Sequence, residues 1–268
     1  MNIWMLCCGL ILGGAAVVPA TQAGADQRAA YGTVLDQHKQ SIVTVSYSVS
    51  MDFMGSQQRA QGEVEGVILA DGLILVPSNI LNPSDQLKEL MSGQADSIPT
   101  IKSSEFNVRL PGSDEPLQAE VLTQDRDFGL AWLRLKGKGR RVDLPSVDLK
   151  RGRDPQVGEL AFVLNLVSEL YGYAPYVAEV QVQGRIRVPY EAFVTNAFGK
   201  MLFDRKGRPL GYAVQRVSGN PNLMGSGGLK VFGVLIPSSR LAELTQRALR
   251  TEARVADGAT GTGEEAGG

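Results

Sequence analysis

The stretch GVILADGLILVPSNIL, from Gly66 to Leu81, consists of two short apolar runs separated by the pair Asp71-Gly72. A short apolar run bounded by turn residues indicates a strand. The Asp-Gly pair is a strong turn signal. This stretch therefore predicts two strands, Gly62 to Ala70 and Leu73 to Val76, joined by a tight turn.

The segment before this stretch predicts another strand. In SIVTVSYSVS, from Ser41 to Ser50, apolar and small polar residues alternate with the period of a half-buried strand. A short helix is predicted just before it, over Gln27 to Gln40.

Short strands with frequent turn signals continue through the rest of the chain, a pattern that favours a barrel or a sandwich. The basic run KGKGRR, Lys136 to Arg141, separates two sets and is interpreted as a solvated linker. A closing amphipathic helix begins near Ser238, with Leu241, Leu244, Ala248 and Leu249 as its apolar stripe. The further predicted strands are Asn107 to Leu110, Ala119 to Leu122, Leu130 to Leu135, Glu159 to Leu166, Val177 to Gln183, Arg185 to Val188, Lys200 to Phe203, Pro209 to Gln215 and Val231 to Leu235.

Composition excludes several kinds of chemistry. The chain has 268 residues, 43% of them apolar, and a net charge of −1, so no global field favours nucleic acid. Its one histidine is His38, and both cysteines, Cys7 and Cys8, lie in the first ten residues. A zinc site built from histidine and cysteine, a cysteine–histidine nucleophile pair and a structural disulfide are therefore not expected beyond them. No metal or cofactor is predicted.

The first residues have the features of a secretory signal. Residues 1–25 contain an apolar run from Ile3 to Pro19, followed by Ala23-Gly24-Ala25 as a cleavage site. Such a signal predicts an extracytoplasmic location, periplasmic or secreted. If the segment is not cleaved, it becomes a membrane anchor instead.

Four blocks of the chain, taken in order and spacing, resemble the HtrA/DegP-type serine proteases of trypsin-like fold. The blocks are Gly66 to Leu81, Asp125 to Leu135, Asn196 to Val214 and Phe232 to Leu244. The resemblance implies an all-β fold: two six-stranded antiparallel β-barrels with a short N-terminal helix and a C-terminal helix.

The resemblance also sets the expected organisation of the chain. After the signal, the N-terminal helix occupies 26–40 and the first barrel 41–140, with a helical insertion at 82–104. The second barrel and the C-terminal helix occupy 141–250, and the tail at 251–268 is expected to be disordered because it is small and polar.

Carried onto this sequence, the family's catalytic histidine, aspartate and serine fall on Asn79, Gly129 and Phe198. An amide cannot act as a general base near neutral pH, glycine has no side chain, and a benzyl ring has no nucleophilic atom. The resemblance therefore implies a trypsin-like protease that lacks the catalytic triad. The turn that forms the oxyanion hole in the family corresponds to Asn196, Ala197 and Gly199, where Asn196 replaces a glycine.

Other residues are candidate substitutes for the missing groups. Ser226, Ser78 or Thr195 with Lys200 would give a residual or altered serine-type peptidase. Asp127 would lie on the same strand face as Gly129 and could mimic the missing aspartate carboxylate, but no imidazole is present for it to orient. His38 is interpreted as a surface or capping residue, and Trp132 and Phe162 as core.

The sequence leaves three functions open. The first is a catalytically inactive homologue that acts outside the cytoplasm as a binding or regulatory module for an extended peptide or a protein, including an active protease. The second is the altered peptidase, and the third is a structural envelope-assembly protein that uses the insertion as its contact surface. The sequence specifies neither the oligomeric state nor the partner.

Overall fold

The computed structural model describes residues 20–53, 56–84, 101–113, 115–137, 144–218 and 230–260. The described strands form two closed six-stranded antiparallel barrels, as the sequence predicts. Helix α1 (Ala20–His38) precedes the first barrel, and helix α2 (Ser238–Thr260) follows the second.

The first barrel has the strand order β1-β2-β3-β6-β5-β4. Its strands are β1 (Ile42–Phe53), β2 (Ser56–Ile68), β3 (Leu73–Pro77), β4 (Ile101–Arg109), β5 (Leu117–Asp125) and β6 (Leu130–Leu135). The second barrel repeats this order as β7-β8-β9-β12-β11-β10. Its strands are β7 (Leu160–Leu166), β8 (Pro175–Ile186), β9 (Ala192–Thr195), β10 (Lys200–Phe203), β11 (Pro209–Ser218) and β12 (Lys230–Pro237).

Strands at the junction of the barrels are apolar on both faces because each face meets a different core. On β3, Ile74 and Val76 point into the first barrel, while Leu73 and Leu75 join a cluster shared with the second barrel and both helices. Trp132 on β6 is buried in the same shared cluster and donates from Nε1 to Thr245 Oγ1 of α2 at 3.2 Å. The continuous apolar runs seen in the sequence are the consequence of this double packing.

Several strand and helix boundaries differ from the sequence prediction. Strand β4 begins at Ile101 and so includes the last four residues of the predicted insertion, because it pairs with the outer half of β1 in spite of its polar sequence. The strands predicted on either side of Gly184 form one strand, β8, with a register shift between Val182 and Gly184. The glycine accompanies a bulge and does not end the strand.

Three further differences concern elements that are absent from the sequence prediction or shorter in it. Strand β9, only four residues long, was not predicted. The C-terminal helix continues to Thr260, so residues 251–260 are helical and not part of a disordered tail. Helix α1, at the N-terminal end, begins at Ala20, earlier than predicted. Residues 1–19, most of the insertion (85–100), part of the basic linker (138–143) and 261–268 lie outside the described residues.

His38 is buried, so its interpretation as a surface or capping residue was wrong. His38 is the last residue of α1. Its buried ring stacks on Phe203 with ring centroids 4.1 Å apart, and its Nε2 lies 2.7 Å from the Gly207 carbonyl oxygen. The histidine therefore fastens α1 to the second barrel. Burial is the main cause that lowers the pKa of His38; the hydrogen bond to Gly207 opposes this shift and the charge of Arg151 adds to it.

We expect stability to fall as the pH is lowered from about 7 to about 5, through the ordinary histidine pKa of about 6.5. A lowered pKa in the folded state means that the unfolded chain binds the proton first, so acid favours unfolding. Urea unfolding at several pH values, with His38→Gln as comparison, measures this. Since the chain has one histidine, the variant should lose most of the slope in this range; an unchanged slope would contradict the assignment.

Candidate functional site

The loops that carry Asn79 and Gly129 are joined by the backbone. Strand β3 ends at Pro77, and a single 3₁₀ turn, Ser78–Ile80, follows and holds Asn79. The Ser78 N–H donates to the Gly129 carbonyl oxygen at 2.9 Å, and Pro77 pairs in register with Leu130. Gly129 is therefore one partner of this hydrogen bond, and Asn79 directly follows the other.

The β9–β10 turn, which carries Phe198, approaches the same place from the second barrel. Gly199 has φ +64°, and a Cβ at this position would lie 3.6 Å from Pro77 Cγ. The Gly199 N–H donates to the Ala213 carbonyl oxygen at 2.7 Å. The side chain of Phe198 is 41% exposed, so its ring is not folded into the core. The segments of Asn79, Gly129 and Phe198 thus meet where the two barrels face each other.

The remaining residues of this turn are held tightly from behind. Thr195 is buried, and its Oγ1 accepts from the Ala197 N–H at 3.4 Å. Ala197 is buried and Asn196 is exposed. A Cβ at Gly233 of β12 would lie only 2.2 Å from the Ala197 carbonyl oxygen. Strand β12 therefore needs a glycine there, and this close contact fixes the path of the turn.

A guanidinium covers the position of Gly129. Gly129 has φ +70°, and a Cβ built on it would lie 3.4 Å from Nη1 and 3.5 Å from Nη2 of Arg216. Nη2 of Arg216 also donates to the backbone oxygen of Asp127. No local sequence pattern indicates Arg216, because its contacts are formed with residues almost ninety positions earlier in the chain.

Asp127 makes its described contacts through the backbone. Its carbonyl oxygen accepts from Arg216 and also from Tyr190 Oη at 3.4 Å, and the residue is exposed. Next to it, the Phe128 ring packs against Tyr190 at 4.4 Å between centroids. None of these contacts uses the carboxylate that was considered a substitute for the missing aspartate.

An ion pair joins the two barrels behind the β9–β10 turn. Lys200 Nζ lies 2.5 Å from Glu65 Oε2, and Glu65 Oε1 accepts from the Leu166 N–H at 3.0 Å. Tyr212 is fully buried nearby; burial first, and then the Glu65 charge, raise its pKa. The Lys200 ammonium is therefore already engaged with a carboxylate of the first barrel. Ser226 lies outside the described residues.

One edge of β11 is available next to this site. Strand β10 pairs with β11 only as far as Ala213, whereas β12 follows β11 to Ser218. Within the described ranges, the edge of β11 from Val214 to Ser218 on the β10 side has no paired strand. This edge begins at the hydrogen bond of Gly199 and includes Arg216. An exposed edge of this kind can accept an extended peptide as an additional strand.

The described part of the chain lacks two further features. No group of three or more histidine, cysteine, aspartate or glutamate side chains is placed to hold a metal ion. Among the described helices, none is long and apolar enough to cross a membrane.

Comparison with solved structures identifies the class of fold. The chain is similar to the HtrA-type protease AlgW with a decapeptide, at 18% identity and a TM-score of 0.54, over 83% of this chain and 68% of that one. A variant of AlgW with a serine replaced by alanine, also with a decapeptide, gives 17% identity, a TM-score of 0.54 and coverages of 82% and 67%. No protein-family profile and no curated protein matches the chain.

These neighbours, together with the two closed barrels, define a trypsin-like double-barrel fold of the HtrA type. At this level of identity the likeness concerns the fold, and activity has to be argued from the site.

Proposed function

We propose that the chain is a catalytically inactive trypsin-like protease homologue that binds an extended peptide or protein segment outside the cytoplasm. The observation that carries this proposal is the meeting of the Asn79, Gly129 and Phe198 segments at the barrel junction, beside the open edge of β11. The side chains of Asn79 and Phe198 supply neither a nucleophile nor a base, and Gly129 has no side chain. The edge supplies backbone N–H and C=O groups, which can bind an extended peptide without a catalytic triad.

Binding by strand addition depends on parts of the site that these residues leave intact. Backbone N–H and C=O groups give affinity, and neighbouring pockets give selectivity. The exposed Phe198 ring adds an apolar surface beside the edge. The solved AlgW structures contain a decapeptide, which supports peptide binding as the function to test here.

The altered-peptidase alternative is less well supported. Thr195 is buried and its hydroxyl is engaged in its own turn, while Lys200 contacts Glu65. Ser78 stands in the 3₁₀ turn with no histidine near it, since the only one in the chain is on α1.

The test has two parts. We expect the purified protein to remain unlabelled by a fluorophosphonate probe under conditions that label an active trypsin-like protease. We also expect it to bind extended ten-residue peptides, and to lose this binding when alternate peptide nitrogens are methylated, because methylation removes the donors of a β-ladder. Labelling at a serine or threonine of the cleft would favour the peptidase, and equal binding of methylated peptides would exclude strand addition.

A further inference from the structure

We propose that Arg216 forms a carboxylate-binding subsite in the cleft, so that the bound peptide is selected by an acidic group placed against the guanidinium. This inference rests on the proposed peptide-binding function and adds the chemistry that the partner must carry. It follows from the position, the charge and the strand of Arg216.

The position of the Arg216 guanidinium supports this subsite. The guanidinium lies where a side chain at residue 129 would begin, 3.4 to 3.5 Å from the place of its Cβ. Gly129 leaves that space open on the side of the site, because it has no side chain and its φ of +70° suits glycine. The chain therefore has a cation at the position where the trypsin-like pattern has an aspartate, and the matching anion has to come from elsewhere.

The charge of Arg216 also supports it. Within the described residues, Arg216 forms no ion pair, and its recorded hydrogen bond is to the neutral carbonyl of Asp127. By contrast, Arg153 and Arg208 both contact the buried carboxylate of Asp204. A guanidinium has five N–H donors in a planar fork. The contact with Asp127 orients the fork and leaves donors for a carboxylate, which would form a short, charge-assisted pair.

The place of Arg216 on β11 determines which peptide residues can reach it. Arg216 belongs to the segment of β11, Val214 to Ser218, whose edge on the β10 side is open in the described structure. Side chains of an added strand alternate between two faces, so every second peptide residue is on the face of Arg216. One register position of the peptide is thus expected to favour glutamate or aspartate. A terminal carboxylate has the same chemistry and could reach the guanidinium from a peptide that ends at the site.

The experiment uses the full chain and fluorescein-labelled ten-residue peptides of one fixed uncharged sequence. In the first set, acetylated and amidated, a glutamate is moved through successive positions, each with a glutamine counterpart. In the second set the glutamine peptides have a free C-terminal carboxylate, which separates the two sources of the acid. Binding is measured by fluorescence anisotropy at about 50 mM and about 500 mM salt, where screening differs strongly.

We expect one position, internal or terminal, at which the acidic peptide binds about tenfold more tightly than its neutral counterpart, as one charge-assisted contact implies. This preference should fall below about twofold in Arg216→Gln and shrink at high salt. Arg247→Gln, which removes an exposed charge from α2, should retain it. The salt dependence tests the inference in the native protein even if Arg216→Gln fails to fold.

The outcomes separate this inference from the proposed function. If neutral and acidic peptides bind equally at every position, the carboxylate subsite is excluded while peptide binding stands. If the acidic preference survives in a folded Arg216→Gln, the subsite is elsewhere and the inference is wrong. If no peptide of either set binds, the proposed function and this inference are both overturned.

Discussion

Replacing Asp204 by alanine is expected to lower the free energy of unfolding by about 3–5 kcal/mol, the cost of breaking a buried charge pair from one side. Asp204 is 2% exposed. Its carboxylate accepts from the N–H groups of Lys206 and Arg208, from Arg208 Nε at 2.8 Å and from Arg153 Nε at 3.0 Å. Alanine would leave two backbone donors and two guanidinium contacts without this acceptor.

The matched control is Asp36→Ala on α1. Asp36 also pairs with a cation, Lys39, at 3.1 Å, but its side chain is 74% exposed. An exposed pair contributes less than about 1 kcal/mol. Urea unfolding of the two variants in parallel therefore compares the same substitution in two environments; equal losses would show that the Asp204 cluster contributes no more than a surface pair.

The pH dependence of the Asp204 cluster has a definite sign. Burial alone raises the pKa of Asp204, but the hydrogen bonds from Arg208, Arg153 and Lys206 together outweigh it and hold the pKa below its usual value. A lowered carboxyl pKa contributes stability above the ordinary pKa of about 4, and this contribution is lost as the pH falls further. The difference in free energy of unfolding between Asp204→Ala and the native chain should therefore disappear only in strong acid.

The barrel strands could be predicted from the sequence because their signal is local. Alternation marks β1, and apolar runs between turn residues mark β3 and β6. The outer part of strand β4 carries no such signal: it is polar, and pairing with β1 determines where the strand begins. The break placed at Gly184 was wrong for a related reason, because a bulge and a turn both favour glycine and only the partner strand distinguishes them.

The candidate site was predicted less completely than the fold. The positions Asn79, Gly129 and Phe198 came from the resemblance, and the structure brings their segments together. Their interpretation as a lost triad stays a prediction. The interactions that give the site its charge, Arg216 over Gly129 and Lys200 with Glu65, join residues 87 and 135 positions apart. No local pattern encodes such pairs, and His38 was misplaced for the same reason.

The geometry of Arg216 also determines what is expected when the family's triad residues are introduced at positions 79, 129 and 198. We expect the triple variant Asn79→His, Gly129→Asp and Phe198→Ser to react with a fluorophosphonate at least about 100-fold more slowly than the same variant with Arg216→Ala added. Aspartate tolerates a positive φ better than most residues, so the backbone at residue 129 is not the obstacle. The obstacle is the cation that would lie beside the new carboxylate.

A triad aspartate stabilises the imidazolium that forms as the serine is deprotonated, and impairing it costs about four decades in turnover. Arg216 opposes this stabilisation in two ways: its guanidinium competes for the carboxylate oxygens, and its charge disfavours a second cation nearby. At about 4–5 Å and an effective dielectric constant near 20, this repulsion is about 3–4 kcal/mol. Each 1.36 kcal/mol on the barrier corresponds to tenfold in rate, so a penalty of this size exceeds two decades.

Second-order labelling rates are the appropriate measurement, because a small phosphonate depends on the nucleophile and its base more than on a substrate pocket. The control adds Arg247→Ala to the triple variant, which removes an arginine from the exposed surface of α2 and should leave the labelling rate unchanged. If the triple variant labels as fast as its Arg216→Ala derivative, the guanidinium does not act on the restored site.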